Sequence, residues 1–406
     1  MVYNDWLNKS TNYPAKHLHR SWHMPLRGDQ WTRTATRIFR AIWRNPNISR
    51  VDLAEKLGLD KSTVTKQVAD LLENGLIEEK AEGEASARGG RKPIYLAVNK
   101  EYGRFIGIEL QLGFFESVVV DLAGNILDTA RGEVHITPEN FASTVADIVD
   151  SMQKQYCGDS LLLGIGVGTA GLVDSKKGRI KYSVPLGIQK TLDFGKAIAG
   201  KLKVPAFIEN DANCCAWGEL AFNRDEELKD FLFALVEYRQ DETSLTRYGG
   251  IGVGFGVVLG GRVHAGAHGY SGEFRSAFCD GPGELQFSLS REELMRLRSD
   301  RGLLHRTVDE LARNMAMLIN TMDFQHVYIG GDIEALDIDL PAILRHRLEE
   351  NWMYPSPKDV EIRYSSLGDK AVAFGAAGMV FERLMAERSM PGLAVGLSKL
   401  GQQIGA

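Results

Sequence analysis

Between residues 49 and 75 the apolar positions follow two helical spacings in succession. Leu53 and Leu57 lie one turn apart, Gly58 interrupts, and Val64, Val68, Leu71 and Leu72 then form a second inward stripe ending at Asn74 and Gly75. Ser49, with Asp52 three residues on, is an N-cap pattern for the first helix, and Asp60 caps the second. Ahead of this pair, Ile38, Ala41 and Ile42 share one face of a helix over about residues 34–44. Behind it, Leu76 and Ile77 open a strand, and IYLAV at 94–98 reads as its return partner across a loop rich in glycine and cations.

Helix, helix–turn–helix and hairpin in that order predict a winged helix-turn-helix. The outward start of the second helix carries Lys61, Ser62, Thr63, Thr65 and Lys66, hydroxyls and cations of the kind that a recognition helix presents to the major groove. Arg50 lies nearby, and the loop ends in Arg88, Gly89, Gly90, Arg91 and Lys92, a wing suited to a narrow minor groove. The bland alternative is a two-helix corner with a solvated face; the hairpin and its basic loop favour DNA. A homodimer on a near-palindromic operator is the expected assembly.

From about residue 103 the period changes. RFIGIEL at 104–110 and runs at 161–168, 204–208, 231–237 and 252–259 are strands, SVVVDLAGNIL at 117–127 is a strand followed by a turn at Gly124-Asn125, and an amphipathic helix spans about 141–155. Strands alternating with helices predict an α/β body. The expected divisions are an N-terminal arm over 1–30, the winged helix over 31–100 as a separate domain, α/β lobes over 101–220 and 221–385, and a tail over 386–406.

The 406 residues leave room for about three domains of roughly 100–200 residues each. A net charge of −5 does not oppose DNA binding, because the basic positions are local to the head. Cys157, Cys214, Cys215 and Cys279 show no CxC or CxxC spacing, which points to reduced thiols in a cytoplasmic protein. No apolar run has membrane-spanning length, and the N-terminus lacks a signal-peptide core. Trp6 and Trp22 share the arm with His17, His19 and His23, with Trp31 just beyond it, read as an extended arm in preference to a metal site.

Three motifs follow in the body: GVGTAGLVD at 166–174, ENDANCCAWGE at 209–219, and GGIGVGFGVVLGG at 249–261 running on through HAGAHGYSGEF at 264–274. Their order and spacing resemble the ROK family of sugar kinases and sugar-responsive repressors. With the head in front, the likeness is to the repressor branch, the Mlc, NagC and xylose-repressor type. The resemblance implies a two-lobed, actin/hexokinase-like duplicated α/β fold with a sugar in the inter-lobe cleft. It places Asp211 where the family's catalytic base stands and Asn210 and Glu273 where sugar hydroxyls are bound, with Thr169, Ser276 and Gln286 as further contacts. Carboxylates beside an amide suit a polyol, since each can bridge adjacent hydroxyls. Asn210-Asp211 can equally be a helix cap.

Departures from the kinase pattern steer the functional reading. The family's first phosphate turn, Asp-x-Gly-Gly-Thr, is here Glu109-Leu110-Gln111-Leu112-Gly113, and Gly-Thr-Gly has become Gly250-Ile251-Gly252. Side chains stand where phosphate approaches, and two hydroxyl donors are gone. The family's zinc cluster is also missing: Ser276 replaces its histidine, and Cys279 is the one cysteine left there. His264 and His268 are read as surface or pocket residues. VYIGGD at 327–332 and GAAG at 375–378 resemble the family's adenosine-side turn and closing helix, taken as packing devices. The expectation is a DNA-binding regulator, a repressor answering to a small-molecule sugar, with no enzymatic activity, cofactor or metal. The competing readings are an ATP-dependent sugar kinase with a regulatory head, and a protein-regulated DNA binder with a vestigial cleft.

Overall fold

The computed structural model describes residues 33–82, 92–158, 160–224, 227–238, 251–281, 283, 285–297 and 299–386. In the head, α1 (Arg33–Arg44), β1 (Ile48–Ser49), α2 (Arg50–Leu57), α3 (Lys61–Glu73), β2 (Ile77–Glu82) and β3 (Ile94–Val98) form a winged helix. Its sheet has the order β1-β3-β2. Ser49 and Asp52 make a reciprocal capping box, and Gly58 ends α2 at φ 61, a left-handed conformation that glycine adopts without strain. Asp60 accepts from the Thr63 N–H to start α3.

The first lobe is a five-stranded sheet of order β11-β7-β4-β5-β6, made by β4 (Gly103–Gln111), β5 (Gly113–Asp121), β6 (Ile126–Val134), β7 (Leu161–Thr169) and β11 (Ala206–Asn210). β4, β5 and β6 meander antiparallel, while β7 and β11 add in parallel. Helices α4 (Phe141–Met152) and α5 (Phe194–Ile198) contribute Phe141, Val145, Phe194 and Ile198 to the core on its outer face. A small sheet of β8 (Leu172–Asp174), β9 (Arg179–Tyr182) and β10 (Leu192–Asp193) stands beside it. The second lobe repeats the plan: after α6 (Asp211–Phe222) come β12 (Phe231–Tyr238), β13 (Ile251–Leu259), β14 (Arg262–Val263), α7 (Arg291–Met295), α8 (Arg301–Met322), β15 (His326–Gly331), α9 (Leu340–Asn351) and β16 (Glu361–Tyr364). Its sheet order is β14-β13-β12-β15-β16, again a meander extended in parallel.

Between the two sheets lie α6 and the last described helix, α10 (Ala371–Ala386). Contact there is backbone to backbone. A Cβ on Gly375 would come within 1.8 Å of the Cys214 carbonyl, and one on Gly107 or Gly166 would meet α10 carbonyls at 1.9 and 2.0 Å. The glycines of 375–378 are thus packing devices, as expected. The position of α10 differs from the division drawn at 220 and 385: it packs on β4, β5 and β7 of the first lobe.

The head is also packed against the body. Phe39 and Trp43 of α1 share one core with Phe105, Phe222, Phe374 and Phe381 of the body. Trp43 donates its Nε1–H to Leu122 O at 3.2 Å, Arg224 lies 4.5 Å over the Trp43 ring, and Arg40 pairs with Glu382. Aromatics at helical spacing in α1 are large enough to fill their own domain's core and the seam behind it.

Candidate DNA-binding head and inter-lobe site

Lys61, Ser62, Thr65 and Lys66 are exposed at the start of α3, and Thr63 is half-buried. Their hydroxyls are locally engaged: Ser62 and Thr63 donate to Asp60, and Thr65 donates to Lys61 O at 2.7 Å. Those bonds hold the Asp60 carboxyl well below the usual range, Ser62 contributing most. Arg50 is bound to Glu79 of β2 at 2.7 Å, so part of its charge is already neutralised. Lys92 is exposed; Arg88 and Arg91 lie outside the described residues, as do the arm's tryptophans and histidines.

In the body, Asn210 and Asp211 stand where β11 turns into α6. Asn210 Oδ1 accepts from the Asn213 N–H at 3.3 Å, and its Nδ2 donates to Gly171 O at 3.1 Å, tying the turn between β7 and β8 to the helix. The cap reading of Asn210 is therefore met. Asp211 is buried, and its Oδ1 accepts from the Ala212 N–H at 2.9 Å. Glu273 reaches the same place from the second lobe, paired with Gly254, whose Cβ position faces Ala212 at 3.1 Å. The residue is exposed to solvent, yet the protein crowds around the carboxyl. Desolvation first, and the Asp211 charge second, push its carboxyl up to about 7.

The other expected contacts have inward duties. Thr169 is fully buried and donates to Leu110 O at 2.9 Å, stapling β7 to β4. Gln286 accepts from the Val253 N–H at 2.8 Å and donates to Val253 O and Phe274 O at 2.7 and 3.0 Å. Ser276 is buried, its hydroxyl accepting from Asn314 Nδ2 and from the Phe278 N–H, both at 3.1 Å. These hydrogen bonds hold the segment from Phe274 to Gln286. Among the described residues no group of three or more His, Cys, Asp and Glu is placed to hold a metal ion. His264 and His268 are exposed, and His268 O accepts from Lys181 at 2.9 Å.

At the end of β4, Glu109 and Gln111 are both buried, and Gln111 Nε2 donates to Glu109 Oε1 at 3.1 Å. The amide oxygen of Gln111 is buried without a hydrogen-bond partner. Ile251 points into the second lobe's core, and Gly250 lies outside the described residues. Two charged residues escaped the sequence reading. Glu209 sits inside a recognised string but read as strand, and Arg383, 174 positions away, carries no local signal of pairing with it.

Comparison with known proteins agrees with this geometry. A family model described as "ROK family" matches residues 105–275, and one described as "Winged helix-turn-helix DNA-binding" matches 32–78. The xylose repressor of Bacillus spizizenii is 27% identical over 86% of this chain and 94% of its own length. That of Lactiplantibacillus pentosus is 30% identical over 68% of this chain and 69% of its own. A solved ROK family transcriptional regulator, a homologue of the E. coli Mlc protein, superposes with TM-score 0.70 at 20% identity, covering 88% of this chain and 98% of that one. A ROK hexokinase from Thermus thermophilus gives 0.54 at 21% identity, covering 69% of this chain and 99% of its own. The two-lobed hexokinase-like fold with a winged helix in front is thereby established, and the chain belongs to the ROK family.

Proposed function

We propose that this protein is a transcriptional repressor whose operator affinity is set by a sugar bound between the lobes, next to Asn210, Asp211 and Glu273. The observation that carries the reading is a winged helix that exposes Lys61 and Lys66 and is seated through α1 on a body that brings Asn210, Asp211 and Glu273 together. The relatives named xylose repressors support repression and make D-xylose the first sugar to try. Arg50, Lys61, Ser62, Thr63, Thr65, Lys66, Arg88, Arg91 and Lys92 are the proposed DNA contacts. Direct sugar contact is assigned to Asn210, Asp211 and Glu273; Thr169, Ser276 and Gln286 shape the walls through the bonds described above. Two heads on one palindromic site make a homodimer the working assembly. Among the described residues no helix is long and apolar enough to cross a membrane.

A kinase reading draws on Asp211, which keeps the base's place. Against it, the Glu109–Gln111 pair fills the turn that a nucleotide's phosphates need. The deciding experiment titrates the full-length protein onto a duplex it has selected from a random pool, with and without D-xylose, D-glucose and N-acetyl-D-glucosamine. A sugar-dependent change in Kd without turnover in a coupled ATPase assay is expected. ATP-dependent phosphorylation of any of the three, lost in Asp211→Asn, would return the chain to the kinases.

A further inference from the structure

The last turns of α10 touch the head and the cleft through neighbouring residues. Phe381 packs against Phe39 and Trp43 of the head at ring separations of 6.4 and 5.7 Å, Glu382 pairs with Arg40, and Met385 O accepts from Thr36 Oγ1 at 3.3 Å. Arg383 reaches into the body instead. Its Nη2 lies 3.8 Å from Glu209 Oε2, its Nη1 donates to Ser175 O at 3.3 Å, and its guanidinium sits 5.1 Å over the Phe207 ring. The other oxygen of Glu209 accepts from the Asn210 N–H at 3.0 Å and from Asn213 Nδ2 at 3.3 Å. One buried carboxylate is thus shared between α10 and the turn that carries Asn210 and Asp211, and Ser175 directly follows β8.

We propose that Arg383 is the positioning residue that couples the inter-lobe site to the DNA-binding head, fixing the first turn of α6 through Glu209 while its own helix holds the head through Phe381 and Glu382. The proposal rests on the effector reading of the cleft. Three features make it specific. The pair is desolvated: the Glu209 side chain is 4% exposed and that of Arg383 20%, so removing one partner strands a buried charge. The helices cannot slide independently, since Gly375 of α10 lies against the Cys214 carbonyl of α6 with no space for a Cβ. A packed junction of this kind changes between discrete arrangements instead of deforming smoothly.

Coupling is reciprocal, so DNA at the head must act back on α6 even before the sugar is known. The test uses the full chain and the selected duplex, and reads amide hydrogen exchange over residues 207–216. In the wild type, saturating duplex should change exchange there by about 5-fold or more, within the usual 5–150-fold span of coupling factors. Arg383→Gln and Glu209→Gln should each reduce the change to under about twofold, and the double variant should lose no more than either single, as expected of one link. Arg383→Lys, which keeps the charge, should restore part of it; a merely structural role gives no such rescue at equal thermal stability. Glu209→Gln keeps an acceptor for Asn210 and Asn213, and carries the test if Arg383→Gln fails to fold. An unchanged response in the folded Gln variants, or no response in the wild type, overturns the proposal. Titrations with D-xylose, D-glucose and N-acetyl-D-glucosamine report separately on the effector reading: a wild type with coupled exchange but no sugar-dependent Kd sinks that reading alone.

Discussion

Asp211 is buried at the head of α6, with Glu273 close enough that its charge raises the Glu273 pKa. A hydrogen bond to a charged group contributes about 1.5–3 kcal/mol, and about 1.4 kcal/mol is one decade in affinity. Asp211→Ala should therefore weaken sugar binding by one to two orders of magnitude in calorimetry; normal sugar affinity in the folded variant removes Asp211 from the site. Glu273 permits a separate test by pH. Its carboxyl is pushed from 4.5 up to about 7, so its contribution to stability is intact below about 4.5 and is lost as pH rises through about 7. Solvent access to the side chain screens the effect and keeps it small. Glu273→Gln should gain thermal stability relative to the wild type as pH is raised from about 5 to about 8, and a pH-independent difference would argue against the shift. At this scale the motif residues were legible because their spacing is a local property of the chain. The inward duties of Thr169, Ser276 and Gln286 were not, because a polar side chain's partner is set by what folds against it: Leu110, Asn314 and Val253, respectively.

Among the elements, α3 shows how local signals combine. Asp60 starts it, Val64, Val68 and Leu71 bury one face, and the opposite face keeps its cations in solvent. Each phosphate neutralised by a cation contributes about −0.9 to the slope of log K against log salt. Lys61→Ala and Lys66→Ala should each lower the slope by about that much, uniformly across DNA sequences. Arg50→Ala should lower it less, because Glu79 already holds that guanidinium. Fluorescence anisotropy over a salt series reads all three, and an Arg50 effect larger than the lysines' would mean that the Glu79 pair opens on DNA. Most elements of the body were legible from runs of apolar residues, among them β4, β7, β12 and β13. The small sheet of β8, β9 and β10 was not: its strands have two to four residues, too short for a period to register. The turn between β5 and β6 falls where the sequence puts it, with Gly124 at φ 84.

For the whole molecule, the deciding fact is the continuity of the core across the expected boundary near residue 100. Phe381 sits fully buried between Phe39 and Trp43 of the head and Phe105 and Phe222 of the body. The sequence hides this because Phe381 and Phe39, far apart in the chain, each fit a plausible core of their own. A separate head would leave operator binding indifferent to the body. A shared core makes the head's placement depend on α10, and gives any displacement in the cleft a solid path outward. Truncating a buried phenylalanine costs about 3–5 kcal/mol where the site cannot collapse, and glycine contacts along α10 leave it little freedom to do so. Phe381→Ala should lower the unfolding temperature of head and body together, as one calorimetric transition, and weaken operator binding although the residue is remote from the exposed face of α3. Two transitions, with only a minor one displaced by the substitution, would mean that the head folds independently; the cleft would then need another route to the DNA.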